Sequence, residues 1–167
     1  MGPSAGANQD YFLKIDTIDG ESGDAKHKGE IDVLSWSIGE SNGGSMAFQG
    51  GGGSGKVAFQ DFHFTQRMSK ASPKLFLACA SGQHIPKAVL TVRKAGGTQQ
   101  EFFQVTMSDL LVSSYQTGGA GSDNSLPIEQ ISINFAKIEV QYKEQDAKGN
   151  LGGPIKAGWD LKQNQKV

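Results

Sequence analysis

Cysteine, net charge and long apolar runs are all scarce in this chain of 167 residues. Cys79 is its only cysteine, so no disulfide can form within the chain, which fits a reducing cytoplasm. No apolar run approaches the roughly 18 residues of a membrane-spanning helix, so we expect no membrane insertion. With 16 basic and 17 acidic residues, the chain lacks the basic surplus of nucleic-acid-binding proteins. We therefore expect no nucleic acid among its partners.

The N-terminus lacks the features of an export signal. Residues 1–9 are mostly small or polar, without the basic start and the apolar stretch of a secretory signal peptide. We interpret them as a flexible N-terminus in which residues 1–6 (Met-Gly-Pro-Ser-Ala-Gly) resemble an expression-vector scar. If the protein is exported, we expect it to leave the cytoplasm without an N-terminal signal peptide.

Recognisable catalytic and ligand-binding patterns are also missing. His27, His63 and His84 lack the short spacings of a metal site, and His27 is expected to be exposed because charged residues surround it. Residues 50–56 (Gly-Gly-Gly-Gly-Ser-Gly-Lys) resemble a phosphate-binding loop, but Val57 stands where that loop needs a hydroxyl. The residues that follow alternate like a strand, whereas a phosphate site needs a helix N-terminus. We expect no catalytic residues, no cofactor, no metal and no enzyme activity.

Glycine and alternating apolar residues are abundant. The 23 glycines are about twice the usual share of about 7%, which indicates many turns. Apolar and polar residues alternate with the period of strands that have one buried face. The segments with this pattern are residues 13–15, 30–40, 56–66, 88–94, 101–107, 110–115, 127–143 and 155–161. Residues 95–98 (Ala-Gly-Gly-Thr) predict a hairpin turn.

The segment 30–40 predicts which side chains face the core. Leu34, Trp36 and Ile38 share one face, which we expect to be buried. Ser35 and Ser37 share the other face and should therefore point away from the core.

The segment 127–143 changes its buried face halfway. The apolar residues have odd numbers up to Phe135 and even numbers from Ile138 onwards. A strand that keeps one face buried across such a switch needs an extra residue, so we predict a β-bulge or a sharp bend at residues 136–137. Bent strands of this kind allow small sheets to close into barrels.

One helix interrupts the strands at about residues 72–81. Ser72 is expected to cap it, Pro73 to occupy its first position, and Gly82 to end it. The residues that would share its buried face are Leu75, Phe76 and Cys79. The predicted fold is mainly β, a closed or nearly closed antiparallel β-barrel or sandwich with one short α-helix, in a single domain over residues 10–164.

An ordered set of short segments resembles one known family, the haemolysin-coregulated proteins (Hcp) of the bacterial type VI secretion system. The similarity covers about residues 10–164, and no single segment is specific by itself. Ile38 departs from the pattern, since many relatives have a second tryptophan there. The segments are Gly20–Ser22, His27 followed by Glu30–Ser37, Ser72–Pro73 leading to Ser81–Gly82, Leu90–Gly96, Leu111–Ser114, Asn134–Lys137 and Gly158–Asp160.

The resemblance implies a structural subunit of a secretion machine. Six copies would form a homo-hexameric ring, and rings would stack into a tube that carries a spike (VgrG-type) protein inside a contractile sheath above a baseplate. The protein would be secreted from the bacterial cytoplasm, and effector proteins would ride in the ring lumen, chaperoned by it.

The same resemblance suggests which residues meet the passengers and the next ring. Ser35 and Ser37 are the candidates that face the lumen and its effectors. The glycine-rich loop is the candidate for ring stacking, because its lack of bulky side chains allows close approach. The loop residues are Gly50, Gly51, Gly52, Gly53 and Ser54.

Two other classes of protein stay open at this point. A β-sandwich module that binds carbohydrate or protein would use Trp36 and Trp159, although we expect both to be core anchors. Such a module would be a monomer or a dimer. An enzyme on a β-barrel is the second alternative, for which the sequence offers no coherent set of residues.

Overall fold

The computed structural model describes residues 9–44, 56–96 and 98–167. Within these ranges the chain forms eleven strands, all paired antiparallel, and one helix. The elements are β1 (Gln9–Ile15), β2 (Ile31–Val33), β3 (Ser35–Ser37), β4 (Glu40–Asn42), β5 (Val57–Phe59), β6 (Phe62–Arg67), α1 (Ala71–Ser81), β7 (Ile85–Lys94), β8 (Glu101–Gln116), β9 (Ile128–Gln145), β10 (Leu151–Asp160) and β11 (Gln165–Lys166).

Nine strands belong to one sheet that forms a nearly closed barrel. Its order is β11-β10-β9-β8-β7-β1-β2, and β6 joins β9 to β3. β2 pairs with β1 and β3 pairs with β6, yet only Leu34 separates β2 from β3 in sequence. The two ends of the sheet are therefore close together because the chain runs directly from β2 into β3. Among the described residues, no hydrogen-bonded strand pair joins these two ends. The predicted mainly β fold with one short helix is confirmed.

The barrel interior is an apolar core. The largest fully buried side chains include Phe62, Phe64, Leu13, Leu75 and Met107. Each such burial stabilises the fold by about 1.5–3 kcal/mol. Trp36, Trp159 and Cys79 pack against this core while partly buried, so the prediction that they are packing residues is confirmed.

A separate two-stranded sheet, β4–β5, flanks the glycine-rich loop. Asn42 pairs with Val57 and Glu40 pairs with Phe59. The chain therefore continues from Lys56 into a strand, and no helix N-terminus is available there for a phosphate.

The predicted change of face in the longest strand is present, but its cause is different. Buried positions of β9 pass from odd numbers, ending at Phe135, to Ile138. The register between β8 and β9 is unshifted there, because Leu110 lies opposite Phe135 and Ser108 opposite Lys137. Between these pairs Asp109 has a left-handed φ of 51°.

The two strands thus change face together, and the β-bulge predicted at residues 136–137 is wrong for the β8–β9 pair. The alternative, a sharp bend at these residues, stays a prediction. The register shift of this pair lies instead between Val112 and Ser114. On one side of the change β9 pairs with β6, and on the other side it pairs with β10. β9 therefore passes from one wall of the barrel to the other at this point.

In the segment 30–40 the chain also passes from one neighbouring strand to another. For this reason the prediction that Leu34 is buried is wrong. Leu34 is 41% exposed, whereas Ile31 and Val33 are buried. Leu34 lies where the chain leaves β1 for β6, and its N–H donates to the carbonyl of Thr65. The alternation therefore does not run through it.

The helix lies close to its predicted place but begins differently. Lys70 occupies the N-cap position without a side-chain hydrogen bond, and Ser72 lies inside the helix, so the predicted serine cap is wrong. Gly82 ends the helix with a left-handed φ of 63°, as predicted. Leu75 is buried, but Phe76 is 60% exposed and meets the edge of Tyr115.

Candidate functional site

Ser35 and Ser37 lie on the outer surface of β3, as the alternation predicts. Both side chains are exposed, and Trp36 between them turns inwards. The Trp36 ring stacks on Phe103, with centroids 5.7 Å apart, and meets the edge of Tyr11 at 6.2 Å. This aromatic packing holds the strand so that the two serines point away from the core.

A row of polar side chains begins at Ser35 and crosses four strands. Residues paired directly across a ladder share one face of the sheet. The hydroxyl oxygens of Ser35 and Thr65 are 2.6 Å apart and share a hydrogen bond. The row consists of Ser35, Thr65, Gln130 and Gln116, each opposite the next in register.

A second row runs beside it from Ser37. His63 Nδ1 and Ser132 Oγ in this row are hydrogen-bonded at 3.1 Å. The row consists of Ser37, His63, Ser132 and Ser114, each opposite the next in register. We call these eight side chains the polar face; they include no carboxylate, lysine or arginine.

Charged residues stand at both ends of the polar face. Asp61 precedes β6, and its carboxylate accepts hydrogen bonds from Ser113 at 2.5 Å and from Asn134 at 3.0 Å. Arg67 is the last residue of β6 and is exposed. Along β6 the polar face is thus bounded by one negative and one positive side chain.

Sequence reasoning identified only the β3 members of the polar face. The other members alternate with buried residues, as His63 does between Phe62 and Phe64. That alternation shows which residues of each strand face outwards. It does not show which strands are neighbours, and the register across β3, β6, β9 and β8 is what joins the eight side chains.

The candidate ring-stacking residues lie outside the described part of the chain. These are Gly50, Gly51, Gly52, Gly53 and Ser54. The strands on either side of their loop are described, and they border a mostly apolar groove of about 780 Å³. Its walls include Val57, Phe59, Val140 and Trp159.

His27 is buried, so the predicted exposure is wrong. Only 8% of the residue is exposed, and its ring stacks on Phe12 with 4.4 Å between centroids. Nδ1 lies 2.8 Å from Glu30 and Nε2 lies 2.5 Å from Glu101. Burial acts to lower the pKa of His27, but the hydrogen bonds to Glu101 and Glu30 outweigh it and raise that pKa. The side chain of His27 therefore connects the loop before β2 to the start of β8.

Arg93 on β7 connects the same loop to the barrel through a second set of contacts. Its guanidinium donates to Asp24 at 2.7 and 3.0 Å and to Asp10 at 3.0 Å, and it lies over the Phe12 ring. The Arg93 hydrogen bond holds the pKa of Asp24 well below its usual range, and the same bond raises the pKa of Arg93. Asp10 and Arg93 lie on β1 and β7, and Asp24 lies in the loop before β2. These pairs are away from the polar face and are structural.

The described residues contain no candidate metal site and no membrane-spanning helix. Among them, no cluster of three or more histidine, cysteine, aspartate or glutamate side chains could hold a metal ion. Within the same part of the chain, no helix has both the length and the apolar character needed to cross a membrane.

Known proteins with similar sequence share this architecture. A family model described as "Type VI secretion system effector, Hcp" matches residues 12–142. Protein hcp1 of Pseudomonas aeruginosa is 50% identical over 157 residues, which cover 93% of this chain and 96% of that protein.

Solved structures of type VI secretion proteins have a fold similar to that of this chain. A structure titled "Structure of a type six secretion system protein" has a TM-score of 0.89 at 34% identity and covers 95% of this chain and 99% of its own. Hcp1 of Salmonella typhimurium has a TM-score of 0.77 at 37% identity, over 96% of this chain and 99% of that one.

The nearly closed barrel and these matches define a structural, secreted protein of the type VI secretion system. The chain belongs to the Hcp family, whose members are the tube proteins of that system. The family assignment suggested by the ordered segments is confirmed.

Proposed function

We propose that six copies of the chain form a ring, that rings stack into a tube, and that effector proteins ride in the lumen against the polar face. Membership of the Hcp family supports the tube. The observation that carries the passenger role is the polar face, where two rows of hydroxyl, amide and imidazole side chains begin at Ser35 and Ser37. Such a surface offers hydrogen bonds without excluding varied passengers by charge.

Ring formation needs two different surfaces that fit each other on neighbouring copies. β10 supplies one, because β9 covers one of its edges while β11 pairs only with Trp159 and Asp160 on the other. An open edge of this kind pairs readily with a strand of another chain. Ile155 on β10 is 67% exposed, and the apolar groove lies beside this strand. We assign ring contacts to this side of the barrel.

The oligomeric state tests the ring. Size-exclusion chromatography with light scattering and negative-stain electron microscopy at micromolar concentration should show six-membered rings. Ile155→Glu should shift the protein towards monomers, while the neighbouring Lys156→Glu keeps rings. A wild-type chain that stays monomeric or dimeric would favour the β-sandwich module that binds carbohydrate or protein.

The proposal also implies the partners of the tube and the route of export. A spike (VgrG-type) protein, a contractile sheath and a baseplate are the partners of the tube. The chain passes from the bacterial cytoplasm to the exterior or to a target cell. Its role is structural and not enzymatic. Membership of the Hcp family supports this role.

Ser37 tests the passenger role. Passengers are first identified as proteins that disappear from the medium when the gene for this chain is deleted, and one of them is then co-expressed with the chain. Ser37→Glu should lower the level of that passenger severalfold while rings form normally. Ser125→Glu, in an exposed loop, is the control and should change nothing. An unaltered passenger level with Ser37→Glu removes Ser37 from the contact surface.

A further inference from the structure

His63 occupies the centre of the polar face. It lies on β6, directly opposite Ser37 on one side and Ser132 on the other. With strands about 4.8 Å apart, each row of four residues is roughly 14 Å wide, and the two rows lie about 7 Å apart. His63 has the only ring among these eight side chains, so it offers the broadest contact surface there.

The hydrogen bond to Ser132 leaves half of the His63 ring available. Nδ1 is engaged with Ser132 Oγ at 3.1 Å. For Nε2, no hydrogen-bond partner is found among the residues that the structure describes, and the side chain is partly exposed. A neutral imidazole has one donor and one acceptor nitrogen. Ser132 thus orients the ring, and Nε2 remains free to bond a passenger.

The surroundings of His63 favour a partner without formal charge. Asp61 lies on the same face two residues before it, and Arg67 lies four residues after it. Ser37 and Ser132, which flank it on β3 and β9, are uncharged. A carboxylate or ammonium group placed over the centre of the face would lose hydration, and the nearest anionic side chain along this part of the chain, Asp61, already accepts hydrogen bonds from Ser113 and Asn134. Amide and hydroxyl groups lose less and regain their hydrogen bonds.

We propose that His63 is a specificity-determining residue of the polar face, and that the face binds an extended, uncharged passenger segment rich in asparagine, glutamine, serine and threonine. This inference rests on the proposed function. It differs from the assignment of Ser37 because the decisive contact is a hydrogen bond at His63 Nε2, held in place by Ser132.

The test uses intact full-length chain and labelled 15-residue peptides of three compositions. One peptide is neutral and rich in Asn, Gln, Ser and Thr; the others carry glutamates or lysines at alternate positions. Fluorescence anisotropy measures binding to wild-type chain, His63→Leu, His63→Gln and Ser132→Ala. Gln141→Leu is the control, because Gln141 is a partly buried polar residue of the same strand as Ser132, beyond its change of face.

The neutral peptide should bind the wild type at least about tenfold more tightly than either charged peptide. His63→Leu should weaken that binding about fivefold, the loss of one hydrogen bond of about 1 kcal/mol, and Ser132→Ala should weaken it less. His63→Gln should restore it, since its amide can replace Nε2. Gln141→Leu should match the wild type.

Three results would overturn the inference. The first is equal or tighter binding of a charged peptide, and the second is an unchanged affinity in His63→Leu. The third is equal weakening in His63→Leu and His63→Gln, which would mean that the ring matters only for packing. If Ser37→Glu still lowers passenger levels in that case, the proposed function stands without His63. If neither residue matters, the passenger role of the polar face fails.

Discussion

The hydroxyl of Ser72 donates a hydrogen bond to Oε1 of Glu129 at 2.5 Å, and so joins helix α1 to strand β9. Glu129 has no exposed surface, and Gln66 and Tyr115 also donate to its carboxylate. Burial acts to raise the pKa of Glu129, but the hydrogen bonds, led by that from Ser72, lower it. The buried carboxylate is therefore held in its charged form by its donors.

Removing the Ser72 hydroxyl should destabilise the fold. Ser72→Ala deprives a buried carboxylate of one donor, and we expect the free energy of unfolding to fall by about 2 kcal/mol. Ser81→Ala is the matched control on the same helix, because its exposed hydroxyl donates only to the Leu77 carbonyl. It should cost less than about 0.5 kcal/mol. Denaturant unfolding at one protomer concentration measures both, and equal losses would contradict the account.

Alternation in the sequence predicted much of this fold, but not the points at which a segment passes from one neighbouring strand to another. It correctly located most strands and the outward direction of Ser35 and Ser37. It failed at Leu34, where the chain leaves one neighbouring strand for another and the buried face changes. Which strands lie beside a segment depends on residues far away in sequence. For the same reason the polar face could be recognised only in part.

His27 shows a second limit of local patterns. Its neighbours in sequence are charged, which is typical of an exposed segment. Its partner Glu30 is only three residues away, but Phe12 and Glu101 are farther away in sequence, and the β1–β7–β8 pairing brings those two to it. No local signal indicates such a contact.

The stability contributed by His27 should depend on pH. Its pKa is raised in the folded state, so protonation favours folding. The contribution is complete below the unfolded pKa of about 6.5 and is lost as the pH rises through the higher folded value. We expect the difference in unfolding free energy between wild type and His27→Gln to shrink as the pH rises above about 6.5.

Chemical unfolding across this pH range measures that difference. The charged groups that face His27 are Glu30 and Glu101, with Arg93 beyond the Phe12 ring. His84→Gln, at a histidine with an exposed side chain, is the comparison variant and is measured in the same buffers. A difference that grows with pH would mean that His27 is neutral in the folded protein.

Gly20 should tolerate no side chain, because the backbone of the neighbouring strand is too close. A Cβ at this position would lie 2.5 Å from the Glu30 carbonyl oxygen. Gly20→Ala should therefore lower the free energy of unfolding by about 1–3 kcal/mol. Gly23→Ala, in the same loop, meets no atom within 4 Å and should be nearly neutral. Thermal unfolding distinguishes the two, and similar melting temperatures would disprove the close approach.

Shortening the glycine-rich loop should separate ring formation from tube growth. Asn42 and Val57 are paired across β4–β5, so a loop without residues 50–53 can still connect them and leave the barrel folded. Ring contacts are assigned to β10, whose residues the deletion leaves unchanged, whereas stacking would lose the segment proposed to approach the next ring. We expect rings of normal size that form few or short tubes.

Electron microscopy of purified rings and of tubes grown from them measures both steps. Replacing residues 50–53 by four serines is the control, because it keeps the length of the loop and adds only small side chains. Tube length should then be close to that of the wild type. If the deletion reduces rings and tubes equally, the loop serves folding or ring closure, and the stacking role assigned to Gly50, Gly51, Gly52, Gly53 and Ser54 is wrong.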